Sequence, residues 1–358
     1  MKTIQAVFEQ FNLEGTYQGA TPYGSGHIND TWLVKTCGTD APDYILQRNN
    51  PRVFTDIPRM LRNINRITEY LQAREPGSPN LILYPSLRGE PFVQDKEAYY
   101  WSAYPFIDGV SYNLVQNEQL ALEGGKAWGN FLRQVKDFPI HQLQVTLPGF
   151  HNLQERLIQW ESALENDNKQ RANARPEMID FVLSRKKRML EYEQGLLNSS
   201  VPLRVTHNDT KFNNILFDRN DHYLTVIDLG TIMPGYMAYD FGDAIRTICN
   251  TSAEDETDLN KTSFYLPYFK AFTRGYLSLT QSFLTDQELD FLPFSPLFMT
   301  YLIGLRFFTD YLRNDIYFKT RYPEHNLQRA RVQFQLLRSM EKQQPAMIQS
   351  IQHLRYHG

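Results

Sequence analysis

Apolar residues fall at helical spacing over 3–11, at alternating spacing over 17–23, 30–35 and 43–48, and at helical spacing again over 58–73. Gly24-Ser25-Gly26 and Gly38-Thr39-Asp40 punctuate the alternating runs and predict turns between three strands. Two more strands are expected at 81–87 and 97–106, the second rich in Tyr and Trp. This order describes a small antiparallel sheet carrying one helix. Beyond Asn113 the period becomes helical, over 118–135, 152–165, 176–197, 263–279, 286–312 and 326–354. The exception is 203–228, where short β-type runs flank polar loops. The pattern predicts an α+β chain in two lobes, 1–107 and 108–358.

Composition narrows the function. Aliphatic and aromatic residues make up 42% of the 358, enough for a large core. A formal charge of −3 argues against nucleic acid as the main partner, which would want a basic face. Cys37 and Cys249 stand far apart, with neither metal-ligand spacing nor a disulfide framework, as suits a reducing compartment. The first ten residues mix polar and apolar positions and do not read as a signal peptide. The most apolar stretch, near 297–308, is shorter than a membrane span and holds Arg306. The expectation is a cytoplasmic protein without a membrane partner.

Candidate chemistry gathers at His207-Asn208-Asp209-Thr210-Lys211-Phe212-Asn213-Asn214. A strand ends at His207, Asp209 sits in a loop, and Asn214 opens the next apolar run. A hairpin centred between Arg219 and Asn220 brings Asp228 roughly across from Lys211, folded over that loop. Three oxygen-bearing side chains then converge, and oxygen donors are what Mg²⁺ takes. Phosphoryl transfer from ATP needs such a set. Asp209 would accept or orient the acceptor's proton, and Asn214 and Asp228 would hold metal. Lys211 would offset charge on the transferring group, and His207 would prop the loop. Read singly, these residues are turn formers or strand ends; their joint spacing favours the chemistry.

The run from His207 to Asn214 resembles the catalytic loop of the protein-kinase-like superfamily, and Asp228-Leu229-Gly230 resembles its metal-binding Asp-Phe-Gly motif. The literal Asp240-Phe241-Gly242 is a decoy. In aminoglycoside and choline kinase relatives an aspartate at that distance anchors the catalytic loop, which is the role the resemblance implies for Asp240, with Asp243 assisting. Tyr23-Gly24-Ser25-Gly26-His27-Ile28-Asn29-Asp30 resembles a phosphate-covering loop, which places Gly24, Ser25 and Gly26 over ATP. The strand that should carry a phosphate-binding lysine has Gln47 instead, with Arg48 on its other side. The following helix offers Arg62, Asn63 and Arg66 and no acid before Glu69, so the usual Lys–Glu pair is absent, replaced by neutral hydrogen bonds from Gln47. Tyr104 to Gly109 resembles the hinge, with backbone groups of Phe106 and Ile107 reading adenine.

The acceptor side is read from Arg306, inside an apolar helical face, and from Tyr317. The plain account pairs Arg306 with Asp310 or Asp243; the functional one has Arg306 and Tyr317 donate to oxygens of an uncharged sugar. Stretches across both lobes, among them Gly26 to Asn29, Tyr44 to Gln47, Val110 to Val115, Arg204 to Leu216 and Asp315 to Asn326, are similar to the bacterial N-acetylhexosamine 1-kinase family. That family shares Gln47 but carries an acid where this chain has Gly230. The resemblance implies ATP- and Mg²⁺-dependent phosphorylation of the anomeric hydroxyl of N-acetylhexosamines, with His27, Asp209, Arg306 and Tyr317 around the sugar. The competing readings are a kinase for an amino alcohol or aminoglycoside and a nucleotide-binding pseudokinase.

Overall fold

The structure, a computed structural model, describes residues 2–24, 29–51, 53–79, 81–167 and 171–357. Ser25, Gly26 and His27 lie outside the described residues.

The N-terminal part opens with α1 (Lys2–Phe8), followed by β1 (Thr16–Pro22), β2 (Asp30–Cys37) and β3 (Tyr44–Arg48). After α2 (Ile57–Arg74) come β4 (Val93–Gln94) and β5 (Tyr100–Pro105). The five strands form one antiparallel sheet in the order β1-β2-β3-β5-β4. Alternation along β2, β3 and β5 sends Val34, Tyr44, Leu46, Trp101 and Ala103 into a small core with Ile4, Val7 and Phe8 of α1. Helix α2 is capped by the Asp56 carboxylate, which accepts the Arg59 N–H. It buries Met60, Leu61, Ile64 and Ile67 in the larger core shared with the C-terminal part.

That part is mostly helical: α3 (Glu118–Val135), α4 (Leu153–Glu165), α5 (Pro176–Leu197), α6 (Met237–Ile248), α7 (Leu266–Thr280), α8 (Asp286–Phe291), α9 (Ser295–Leu312) and α10 (His325–His357). Helices α3 and α7 cross where Gly125 faces Gly275. A Cβ on Gly125 would lie 2.0 Å from the Phe272 carbonyl oxygen, and one on Gly275 would lie 2.2 Å from that of Leu122, so only glycine permits this approach. Helix α9 runs through the centre, and of its 18 residues Arg306 alone is not buried. An all-round apolar helix belongs in a core.

Between α5 and α6 lie β6 (Arg204–Thr206), β7 (Ile215–Phe217), β8 (Tyr223–Val226) and β9 (Met233–Gly235). β6 pairs with β9 and β7 with β8, each antiparallel.

Three expectations need correction. The segment 81–87 is not a strand: Pro85 has no N–H to donate, and only scattered bonds, such as Tyr84 N–H to Ala103 O at 2.9 Å, tie it to the sheet. The fifth strand is Val93–Gln94 instead. The single helix expected over 286–312 is two, broken at 292–294 where Pro293 and Pro296 interrupt the amide ladder. The β7–β8 hairpin pairs Ile215 with Val226, and Ile227 N–H donates to Asn214 O at 2.8 Å. Carried on, this register sets Asp228 across from Asn213, two residues from the expected Lys211. The pairing slips by a bulge between Leu216 and Phe217, and the turn, with Asp221 at φ 64°, centres at Asn220.

Candidate active site

Strand β6 delivers the chain to His207, and the loop behind it is held from three sides. The Asp240 carboxylate, near the start of α6, accepts the backbone N–H of His207 at 2.7 Å and of Asn208 at 2.8 Å, one on each oxygen. Its own carbonyl accepts the Thr210 hydroxyl at 2.6 Å. Burial pushes the Asp240 carboxyl up to about 7 against the pull of the two N–H groups. Phe241 of the same stretch is fully buried on α6.

His207 is sealed under Trp128 and Phe131, with ring centroids 4.8 and 5.9 Å away. Its Nε2 lies 3.0 Å from Ile227 O, and its Nδ1 receives the Asp209 N–H at 3.3 Å. A carbonyl on one side and an N–H on the other fix the Nε2–H tautomer. Burial lowers its pKa to about 4, so the ring is neutral and ties the loop to the β8 end.

Within this frame Asp209 pairs with Lys211 Nζ at 2.9 Å, and Asn214 Nδ2 donates to the Asp209 backbone oxygen at 2.8 Å and to its carboxylate at 3.2 Å. Burial works to raise the Asp209 carboxyl, but Lys211, His207 and Arg246 outweigh it and hold it below the usual range. Burial likewise works against the Lys211 charge, and the nearby acids, Asp209 first, override it and raise its pKa. Both groups are charged at neutral pH.

Asp228 stands at φ 62°, in the left-handed region, with its side chain exposed to the cleft. Burial and the Asp209 charge raise it to about 6. With its Nδ2 spent on Asp209, Asn214 has its side-chain oxygen left to offer, and Asp228 adds a carboxylate beside a second acid. Two acids with one lysine between them, plus a free amide oxygen, suit a hard divalent cation. Asn214 and Asp228 could hold Mg²⁺ together with phosphate oxygens. At Gly230 an added Cβ would approach Phe54 Cζ at 3.3 Å, so Phe54 crowds the position where a second acid would stand.

The nucleotide side is less tightly drawn. Gln47 lies on the central strand β3, across from Thr31 and Ser102, and its side-chain amide bonds to no other described residue. The expected bridging role for Gln47 is thus not observed. Instead the fully buried Asn63 of α2 crosses to the C-terminal part: its amide donates to Gln144 O at 2.8 Å and Ile232 O at 3.1 Å and accepts Gln144 N–H at 3.1 Å. Arg48 packs on the other side of the sheet against Tyr99 and pairs with Asp30 at 2.6 Å. At the hinge, Phe106 N–H is committed to Asp43 O at 3.0 Å, a continuation of sheet pairing. That leaves the Phe106 carbonyl and the Ile107 N–H as its edge groups. Tyr23, beside Gly24, meets the Phe106 ring edge-on at 5.8 Å, so the described end of the glycine turn sits over the hinge. Tyr104, buried at the end of β5, has its hydroxyl pKa raised by burial first and by the Asp228 charge as well, which puts the sheet beside Asp228.

A second cluster forms around Arg306. Neither expected acid partners it. Asp310 is occupied with the backbone N–H groups of Ile316, Tyr317 and Phe318 at 3.1, 2.8 and 2.9 Å, and Asp243 pairs with Arg246 at 2.8 Å. Arg306 instead lies over the Phe150 ring at 4.8 Å and reaches the Tyr317 hydroxyl at 3.5 Å. Next to Phe150, His151 contacts Asn208 O through Nε2 at 3.2 Å, which joins this cluster to the catalytic loop. His151 and Arg156 were not singled out from the sequence, and Asn63 was named there only for its place on α2, not for this crossing. Each lies far along the chain from the loop, and no spacing rule links them to it.

The geometry is that of a kinase loop, and comparison with known proteins agrees. The sequence signature of the APH phosphotransferase enzyme family matches residues 19–278, well over half of the chain. The chain belongs to that family. Solved structures of the same fold include a microcompartment-associated aminopropanol kinase, with TM-score 0.67 and 13% identity over 97% of this chain and 98% of that one. An amicoumacin kinase in complex with AMP-PNP, Ca²⁺ and its antibiotic follows, with TM-score 0.60 and 15% identity over 92% and 90%. A third is an aminoglycoside phosphotransferase from Alicyclobacillus acidocaldarius, with TM-score 0.61 and 14% identity over 98% and 96%. The family supplies the reaction class, a phosphotransferase of the kind that acts on small molecules. Among the described residues no helix is long and apolar enough to cross a membrane.

Proposed function

We propose that this phosphotransferase moves the γ-phosphoryl group of ATP to the anomeric hydroxyl of an N-acetylhexosamine such as N-acetylglucosamine or N-acetylgalactosamine. The C1 oxygen forms a bond to the γ-phosphorus as the bond to the β,γ-bridging oxygen breaks, and the hydroxyl proton passes to Asp209. ADP and sugar 1-phosphate leave. Asp209 is charged, cleft-facing and fixed by Lys211 and Asn214, as a base or orienting group must be. Mg²⁺ held by Asn214 and Asp228 would neutralise charge on the phosphates. Lys211 shields the transferring group, and the Phe106 carbonyl and Ile107 N–H meet adenine, with Gly24 and Gln47 toward the phosphates.

The observation that carries the acceptor assignment is Arg306. It is the one residue of α9 that is not buried, it lacks an acid partner among the described residues, and it stands with Tyr317 on the loop's side of the molecule. Donors of this kind suit ring and acyl oxygens of a sugar.

The second reading is an amino alcohol or aminoglycoside acceptor, as the names of the structural neighbours suggest. A panel of N-acetylhexosamines, plain hexoses, aminopropanol, ethanolamine and an aminoglycoside, each with ATP and Mg²⁺, separates the two by ADP release. The expected result is turnover greatest with N-acetylhexosamines. Preference for an amino alcohol removes the sugar assignment, and no transfer to any acceptor favours a pseudokinase.

A further inference from the structure

Arg156 of α4 is the second arginine at the acceptor side. Its Nε and Nη2 donate to the Phe150 carbonyl at 3.3 and 2.9 Å, and its Nη1 donates to the Gln159 side-chain oxygen at 2.9 Å. Arg306 covers the ring of the same Phe150. Two guanidinium groups thus converge on one residue, one at its carbonyl and one at its face.

Every partner of this pair is neutral: a carbonyl, an amide, the Tyr317 hydroxyl and the rings of Phe150, Tyr317 and Phe318. Among the described residues neither arginine forms an ion pair. None of the surrounding acids among the described residues pairs with either arginine. Asp209 is paired with Lys211, Asp310 caps the 316–318 backbone, and the exposed Glu155 lies over Gly149. The charge is felt nearby: burial and then Arg306 lower Arg156 to about 10, and the same two causes lower His151 to about 3. His151, 6% exposed, is therefore neutral, and its Nδ1 has no partner among the described residues. Two cations that form no ion pair among the described residues stand around a neutral imidazole, with the exposed Glu155 the only carboxylate whose charge is felt at Arg156. They make a region of positive potential beside the base. In partly buried surroundings such a region repels a cation and attracts oxygen-rich or anionic groups.

We propose that Arg156, acting with Arg306, is a specificity-determining residue that excludes acceptors bearing an ammonium group and admits their acylated or anionic counterparts. This deepens the acceptor reading above and rests on it for the location of the acceptor, not for the identity of the sugar. It sets this chain apart from a kinase whose acceptor carries an amine, because a like charge at the binding site opposes binding and transfer alike.

The test compares N-acetylglucosamine with glucosamine as acceptors, by kcat/KM at a pH where the free amine is protonated, in wild type, Arg156→Gln and Arg156→Lys. Wild type is expected to favour the acetylated sugar by about tenfold or more. Arg156→Gln is expected to shrink that ratio severalfold by raising glucosamine turnover, while Arg156→Lys, which keeps the charge, retains it. An unchanged ratio in Arg156→Gln overturns the inference even where the sugar assignment stands. If neither sugar is turned over, the sugar assignment fails, and the same comparison is made with ethanolamine and N-acetylethanolamine. Thermal shifts of the three proteins with AMP-PNP and each member of the pair need no turnover. A larger shift with the ammonium form in wild type overturns the inference.

Discussion

The Asp240 carboxylate, 2.7 Å from the backbone nitrogen of His207, holds the catalytic loop through its main chain rather than through any side chain. The second oxygen holds Asn208 in the same way. Anchoring by backbone leaves Asp209 and Lys211 free to face the cleft. Asn208 sits at φ 63°, a conformation that costs free energy unless something fixes it, and Asp240 does so together with Thr231 O, which accepts the Asn208 amide at 3.0 Å.

Replacing Asp240 by Ala strands two N–H groups and should lower stability by about 2–4 kcal/mol. The loop also loses its frame, so kcat should fall by roughly 10²-fold or more. ATP binding should change far less, because the Asp240 carboxylate bonds to the backbone of His207 and Asn208 and to none of the groups proposed to meet the nucleotide. Chemical denaturation and steady-state kinetics on the same preparation measure the two effects. A variant with normal kcat removes the anchoring role.

Asp209→Asn keeps the side chain's shape and loses its charge. Turnover should drop by about 10³-fold, toward the upper range for loss of a general base. Calorimetric ATP affinity should stay within a few-fold of wild type. Lys211 then loses its ion-pair partner, so its contribution falls as well.

Asp310 holds Tyr317 from behind. It gathers three successive N–H groups from 316–318, and its Oδ2 also accepts the Asn326 amide at 2.9 Å. The chain reaches that turn through Asn314 and Asp315, both at positive φ, and Arg171 clamps Asp315 at 2.9 Å. Asp310→Ala should release the turn and raise the acceptor KM at least several-fold with little change in the ATP KM. Equal changes in both constants point to global damage instead.

His151 supplies a pH dependence of stability. Its folded pKa of about 3 lies below the ordinary value of 6.5, so the unfolded state binds the extra proton as pH falls below that value. The stabilisation is complete above about pH 6.5 and is lost as pH falls toward the folded value. At pH 5 the loss from this residue alone is about 2 kcal/mol. His151→Gln can still donate to the Asn208 carbonyl but does not titrate. Its melting temperature should therefore fall less than that of wild type between pH 7 and pH 5, as read by calorimetry.

The fold was largely legible because its signals are local. The strand alternation at 30–35 and 43–48 and the helical periods of 58–73 and 118–135 each need only neighbouring residues. The loop from His207 to Asn214 was legible for the same reason, since its residues are consecutive and Asp228 follows one hairpin later. Contacts made over long chain distances were not. Asn63 reaches Gln144 and Ile232, and His151 reaches Asn208, across stretches that carry no periodic signal. The 81–87 segment misled because its apolar pattern is strand-like while Pro85 denies it a ladder. Arg306 stood out as the lone arginine of an apolar helix, but its partners did not: the nearby acids Asp310 and Asp243 are engaged with closer groups.

The central claim is that phosphate arrives on the anomeric oxygen of an N-acetylhexosamine. Its most direct test is NMR of the product formed from N-acetylglucosamine, ATP and Mg²⁺. A phosphorus coupling to H1 and C1 is the result this account predicts, with the signal absent in Asp209→Asn. Coupling to the C6 position alone, or no sugar phosphate while an amino alcohol is phosphorylated, would contradict it.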